Sequence, residues 1–123
     1  MEKKFYRCSH CGNIIELVES SGLIPVCCGD QMTLLVPNTT DAANEKHVPV
    51  VEHVGDVVTV TVGSVPHPMT AEHHISWIYL QTENGGQLKY LKVDEPAVAH
   101  FTLNGDEPVA AYEYCNLHGL WKF

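Results

Sequence analysis

Near the end of the chain, Cys115 and His118 stand three positions apart in the run Tyr114-Cys115-Asn116-Leu117-His118-Gly119-Leu120-Trp121. A thiolate and an imidazole at that spacing form a compact pair of ligands for a transition metal. Nothing beside them completes a site, so further ligands must come from upstream. His47, in Glu45-Lys46-His47-Val48-Pro49, is placed to supply one. His67 and His73, in Pro66-His67-Pro68-Met69-Thr70-Ala71-Glu72-His73-His74, are placed to supply two more. A single loop histidine is usually an ordinary surface residue. Three of them, in loops that carry Pro49, Pro66 and Pro68, together with the Cys-x-x-His pair, make coincidence a poor explanation. Spacing leaves His73 and His74 as alternatives, whereas His53 and His100 fall in strand-like segments and read as structural.

A second constellation lies at the other end. Cys8-Ser9-His10-Cys11-Gly12 is a C-x-x-C with a trailing glycine, and fifteen residues later comes Cys27-Cys28-Gly29. Four thiolates so spaced suit a tetrahedral site, either structural zinc or a single redox iron. The adjacent pair is less usual than a second C-x-x-C, because neighbouring residues must both reach one ion. His10 reads as an exposed side chain rather than a fifth ligand.

The composition excludes other partners. Seven basic residues against fifteen acidic ones give a net charge of −8, which argues against nucleic acid, since phosphate neutralisation needs clustered Lys and Arg. No apolar run approaches the roughly 20 residues of a membrane span. The start, Met1-Glu2-Lys3-Lys4-Phe5-Tyr6, lacks the apolar run of a signal peptide, so a cytoplasmic location is expected. In that reducing compartment the five cysteines are expected as ligands rather than disulfides.

The elements that must position these residues read as strands. Residues 13–19 form a short one, turned at Ser20-Ser21-Gly22 and returning through 23–26, which brings the cysteine pairs together. This module, residues 1–37, is too small to fold on its own apolar core and needs a staple. The polar run 38–44 marks a boundary. Beyond it, 48–54 and 57–62 flank a Gly55-Asp56 turn, and 57–62 alternates Val and Thr with the period of a half-buried strand. Segments 75–81 and 87–93 flank Asn84-Gly85-Gly86 as a hairpin, and 97–103 and 108–114 add two more strands. No convincing helix is read. The expected fold is mainly β: the small metal module followed, over 38–123, by an immunoglobulin-like antiparallel β-sandwich. Loops at one end of such a sandwich can converge side chains from distant sequence.

These motifs resemble those of the desulfoferrodoxin family, the two-iron superoxide reductases, over the whole chain. Cys8-x-x-Cys11 with Cys27-Cys28 is similar to the family's desulforedoxin-like module. Glu45-Lys46-His47, His67-Pro68-Met69-x-x-x-His73 and Cys115-Asn116-Leu117-His118-Gly119-Leu120-Trp121 are similar to its catalytic domain. The resemblance implies two Fe ions per chain, one Fe(Cys)4 and one Fe(His)4(Cys). The second would have His47, His67, His73 and His118 as equatorial ligands and Cys115 as the axial one, the six-residue step from His67 selecting His73 over His74. It implies one-electron reduction of superoxide to hydrogen peroxide without dioxygen release. Glu45 would occupy the sixth position of the oxidised iron, and Lys46 would supply the positive charge that attracts an anion to an acidic protein. A rubredoxin-like electron donor and a homodimer are further implications. The axial thiolate would push electron density toward the open position, tuned by N–H groups of Asn116, Leu117 and His118 directed at its sulfur. The competing readings are a cupredoxin-like or rubredoxin-like electron-transfer protein, or a zinc protein used for binding. A blue-copper site needs a weak axial ligand soon after the second histidine, and nothing beyond His118 supplies one.

Overall fold

The period-two alternation of Val57-Val58-Thr59-Val60-Thr61-Val62 is realised as a strand with one buried face. Val58, Val60 and Val62 are buried, whereas Val57, Thr59 and Thr61 keep contact with solvent. Each fully buried valine of this kind contributes about 1.5–3 kcal/mol relative to an exposed one. In a computed structural model, which describes residues 2–123, this strand belongs to the second of two compact units, Met1–Val36 and Pro37–Phe123.

The second unit carries seven strands, β6 (Pro49–Val54), β7 (Val57–Val62), β8 (Ile75–Thr82), β9 (Gly85–Tyr90), β10 (Val98–Thr102), β11 (Pro108–Cys115) and β12 (Gly119–Lys122). They divide into an antiparallel three-stranded sheet, β10-β7-β6, and an antiparallel four-stranded sheet, β12-β11-β8-β9. The inward faces meet in one apolar cluster that includes Val58, Val60, Ile78, Leu80, Phe101 and Ala111. This is the expected immunoglobulin-like sandwich. Pairing of β8 with β11 slips between Tyr114 and Cys115, so that Ile75 lies opposite Cys115 and Ser76 is left over. Such a bulge re-aims a side chain beside a site. Here it keeps Ile75 and Cys115 together in the core cluster.

Three details depart from expectation. One helical turn is present, α1 (Asn44–His47), too short to leave a periodic signal. A last strand, β12, pairs with β11 through Cys115 opposite Gly119. The hairpin after β8 turns at Glu83 and Asn84, while Gly85 and Gly86 lie within β9. Gly86 is required there by space, since a Cβ would fall on the phenol of Tyr79.

In the first unit, β1 (Phe5–Arg7) is central to a three-stranded sheet with β2 (Ile14–Glu16) and β5 (Thr33–Leu34), ordered β2-β1-β5. The strand expected over 13–19 thus shrinks to three residues and pairs with β1 rather than with 23–26. Pro25 cannot donate to a ladder, and the return segment pairs instead as β3 (Val26–Cys27) with β4 (Asp30–Gln31). Tyr6, Cys8 and Met32 form a small buried cluster with Leu17 and Cys27 against it. Among the described residues no helix is long and apolar enough to cross a membrane.

Candidate metal centres

Four segments of the second unit converge and deliver five donors. His47 closes α1 just before β6, Cys115 ends β11, and His118 lies in the turn into β12. His67 and His73 lie in the connection between β7 and β8. His47 Nδ1 donates to the Ala43 carbonyl at 2.7 Å, and His67 Nδ1 donates to that of Pro68 at 2.7 Å. Those bonds place each ring's proton on Nδ1 and leave Nε2 with a lone pair.

The lone pairs converge. His47 Nε2 lies 3.1 Å from His67 Nε2 and 3.0 Å from His118 Nδ1. With Nδ1 of both His47 and His67 already donating, the two Nε2 atoms have no proton to share, and their approach calls for a cation between them. Among the described residues, His73 Nε2 is buried with no hydrogen-bond partner. Neighbouring rings meet edge to face, at interplanar angles of 80° for His47–His67, 81° for His67–His73, 76° for His73–His118 and 88° for His47–His118. His47 and His73 stand opposite each other, 29° from parallel with centroids 6.4 Å apart. The four rings therefore follow one another around a square. The two edges that meet at His47, 3.0 and 3.1 Å, are those of a square whose corners would lie about 2.1–2.2 Å from its centre, the range of imidazole–metal bonds, and His47, His67, His73 and Cys115 each bring a donor within 4.8 Å of one another. Cys115 Sγ completes the group, 3.6 Å from His67 Nε2 and 3.8 Å from His118 Nδ1. The donor set fits a transition metal.

Burial prepares these groups for a cation. Desolvation holds the His67 imidazolium down to about 4, and it lowers His47 and His73 as well, so all three rings are neutral near pH 7. Burial pushes the Cys115 thiol up, opposed by the backbone N–H groups of Leu117 and His118. Asn116 does not join them, because its N–H donates to the His74 carbonyl at 3.1 Å. The Trp121 ring stacks on His47, with centroids 4.8 Å apart, and its Nε1 donates to the His118 carbonyl at 3.2 Å. Glu113 was not singled out from the sequence, yet it is fully buried, neither carboxylate oxygen has a partner among the described residues, and desolvation raises it to about 9.

Glu45 and Lys46 are exposed on α1, and neither stands among the converging donors. The Lys46 charge nevertheless lowers the basicity of both His47 and His73, so its field reaches the square. Their backbone is tightly seated. The Glu45 carbonyl accepts from Val65 N at 2.9 Å and from Ser64 Oγ at 3.3 Å. A Cβ at Gly63, whose φ is +78°, would lie 2.6 Å from Glu45 O and 2.7 Å from Lys46 C. Only glycine fits there. His74 is engaged elsewhere, its Nδ1 donating to the Thr70 carbonyl at 2.9 Å, and it is His73 that turns to the cluster.

In the first unit, one donor atom from each of Cys8, Cys11, Cys27 and Cys28 lies within 4.8 Å of the others. Sulfur separations of 3.7 Å (Cys11–Cys27) and 3.9 Å (Cys27–Cys28) match edges of a tetrahedron with bonds of about 2.3–2.4 Å, the thiolate–metal range. Cys28 adopts a positive φ of 53°, followed by Gly29 at 80°, and this left-handed turn lets adjacent cysteines face one point. The Cys11 N–H, 3.4 Å from Cys8 Sγ, leads in pulling the Cys8 thiol down to about 6. Its neighbour Cys27 is pushed up to about 12, chiefly by its hydrogen bond to Cys8. Four crowded thiols cannot all ionise without a cation among them. His10 is exposed and pairs with Asp30 at 2.5 Å rather than with a sulfur.

Two family models match the chain: "Desulfoferrodoxin, N-terminal domain" over residues 1–35 and "Desulfoferrodoxin" over residues 39–123. The chain belongs to the desulfoferrodoxin family. The desulfoferrodoxin of Nitratidesulfovibrio vulgaris is 47% identical over 119 residues, spanning 97% of this chain and 94% of that protein. A superoxide reductase of Pyrococcus abyssi is 40% identical over 100 residues, 67% of this chain and 87% of its own. The crystal structure of the superoxide reductase from Treponema pallidum superposes with a TM-score of 0.84 at 41% identity, covering 100% of this chain and 99% of that one. Against that desulfoferrodoxin background, sequence reasoning passed over Glu113, and it quoted Trp121 within the C-terminal motif without foreseeing its stack on His47. The signal for Glu113 was its strand parity, which it shares with Ala111 and Cys115 on β11.

Proposed function

We propose that the chain is a superoxide reductase with two iron ions, one held by Cys8, Cys11, Cys27 and Cys28 and one by His47, His67, His73, His118 and Cys115. The observation that carries this is the ring of four imidazoles around one point, with nitrogen separations of 3.0 and 3.1 Å at His47, the buried Cys115 sulfur beside it and, among the described residues, no hydrogen-bond partner for His73 Nε2. When bound there, ferrous iron supplies one electron, and superoxide with that electron and two protons becomes hydrogen peroxide.

The protein's part is to hold and tune. Carbonyls of Ala43 and Pro68 fix the rings of His47 and His67, which keeps the donors neutral and aligned. The N–H groups of Leu117 and His118 stabilise the Cys115 thiolate and moderate its donation. Trp121 closes one side of His47. His73 and His118 are less buried than His47, His67 and Cys115, which leaves solvent and a small anion an approach on their side. Lys46 offers that anion a local positive charge within a chain of net charge −8. Glu45, an exposed side chain on α1 two residues before His47, would offer a carboxylate to the oxidised iron held at this centre.

Residues 1–37 serve as the electron relay or reservoir and 38–123 as the catalytic domain. A rubredoxin-like protein donates the electron, the chain works as a homodimer, and it resides in the cytoplasm. Superoxide mixed with the reduced, iron-loaded protein is expected to yield peroxide without dioxygen. Release of dioxygen would exclude the assignment.

A further inference from the structure

His47 and His67 are oriented by bonds from Nδ1 to carbonyls. The ring of His73 has no hydrogen bond at all among the described residues, and its Nε2 is buried without a partner. Its aim must therefore come from its backbone. Thr70 provides part of the hold: its Oγ1 accepts from His73 N at 3.1 Å, and its N–H donates to His73 O at 2.9 Å. That closes the turn on itself but does not say where the turn sits.

Asn116 does. Its Oδ1 accepts from His74 N at 2.9 Å, and its Nδ2 donates to Glu72 O at 2.9 Å. Its backbone N–H donates to His74 O at 3.1 Å. The three bonds grip the residues on either side of His73, 42 and 44 positions away. They start from the residue next to Cys115 in the chain. We propose that Asn116 is a positioning residue that registers His73 against Cys115, so that the third imidazole and the thiolate face one centre. The proposal rests on the metal-site reading above. It explains why asparagine suits this position: only a side chain offering an acceptor and a donor side by side can bridge Glu72 O and His74 N together.

The test uses the full chain loaded with 57Fe, because Mössbauer spectra separate an iron in four thiolates from one in a nitrogen-rich set. Iron retention against a ferrous chelator is followed for each site, in the parent, Asn116→Ala and Asn116→Asp. Asn116→Ala is expected to release the nitrogen-ligated iron 10–100-fold more readily, the usual consequence of losing a group that orients a ligand. Its quadrupole splitting should change, while the thiolate-ligated iron is retained as in the parent. Asn116→Asp keeps the acceptor for His74 N and loses the donor to Glu72 O, so it should fall between. Retention within twofold of the parent with unchanged splitting in Asn116→Ala would overturn the proposal. So would a lowered melting temperature with the splitting unchanged, which marks a merely structural role. A parent chain that never holds a nitrogen-ligated iron would instead overturn the metal-site reading, and this proposal with it.

Discussion

His47 Nε2 lies 3.0 Å from His118 Nδ1, although 71 residues separate them in the chain. Trp121 braces the pair, stacking on the first ring and donating to the carbonyl of the second residue. His47 holds its ring proton on Nδ1 for the Ala43 carbonyl, so only a lone pair faces across that gap, ready for a cation.

Acid should therefore dismantle this centre. His67 has a folded-state pKa lowered from 6.5 to about 4 by burial. Above 6.5 neither the folded nor the unfolded chain protonates it, and its neutral form costs no stability. As pH falls from 6.5 to 4 the unfolded chain takes up a proton that the folded chain refuses, so stability drops across that window. Denaturation midpoints and iron retention measured between pH 7 and 4 should fall together. A flat profile would contradict the buried neutral histidine.

Glu113 gives the opposite slope. Its folded pKa is raised from 4.5 to about 9, so the folded chain holds a proton that the unfolded one has lost. Stability is then lost as pH rises from 4.5 toward 9, by up to about 1.4 kcal/mol for each pH unit. Glu113→Gln removes that dependence. The variant should gain on the parent in denaturant titrations as pH rises from 5 to 8, and a constant difference would refute the assignment.

Much of this was legible beforehand, for identifiable reasons. Val57–Val62 announced its strand because burial on one face imposes a period of two. Cys115, His118 and the loop histidines His47, His67 and His73 stood out because their residue types are costly to gather without a metal. The α1 turn was not legible, since four residues are held by tertiary contacts rather than by helical patterning. The role of Asn116 was missed because side-chain hydrogen bonds to the backbone of a loop 42 residues away leave no trace in composition. Glu113 was missed because its residue type argued for solvent while its parity argued for the core.

Gly63 should tolerate no side chain. A Cβ would meet the backbone of Glu45 and Lys46 at 2.6 and 2.7 Å, and alanine at positive φ adds backbone strain, together about 1–3 kcal/mol. Gly63→Ala is expected to lower the melting temperature and to displace the segment bearing Glu45, Lys46 and His47. The same melting curve and the same spectrum of the oxidised iron would show that the segment adapts without cost.

Lys46→Ala should slow the bimolecular reaction with superoxide and flatten its dependence on ionic strength, because a local cation steers an anion only while salt leaves it unscreened. Kinetics at low and high salt decide this. An unchanged rate at low salt removes Lys46 from the steering role.

The central claim is tested most directly by pulse radiolysis of the reduced, fully iron-loaded protein, with dioxygen and peroxide measured after the pulse. The account predicts a fast bimolecular oxidation of the nitrogen-ligated iron, with one peroxide formed for each superoxide consumed and no dioxygen released. Dioxygen appearing alongside peroxide, or superoxide decaying no faster than in buffer, would contradict it.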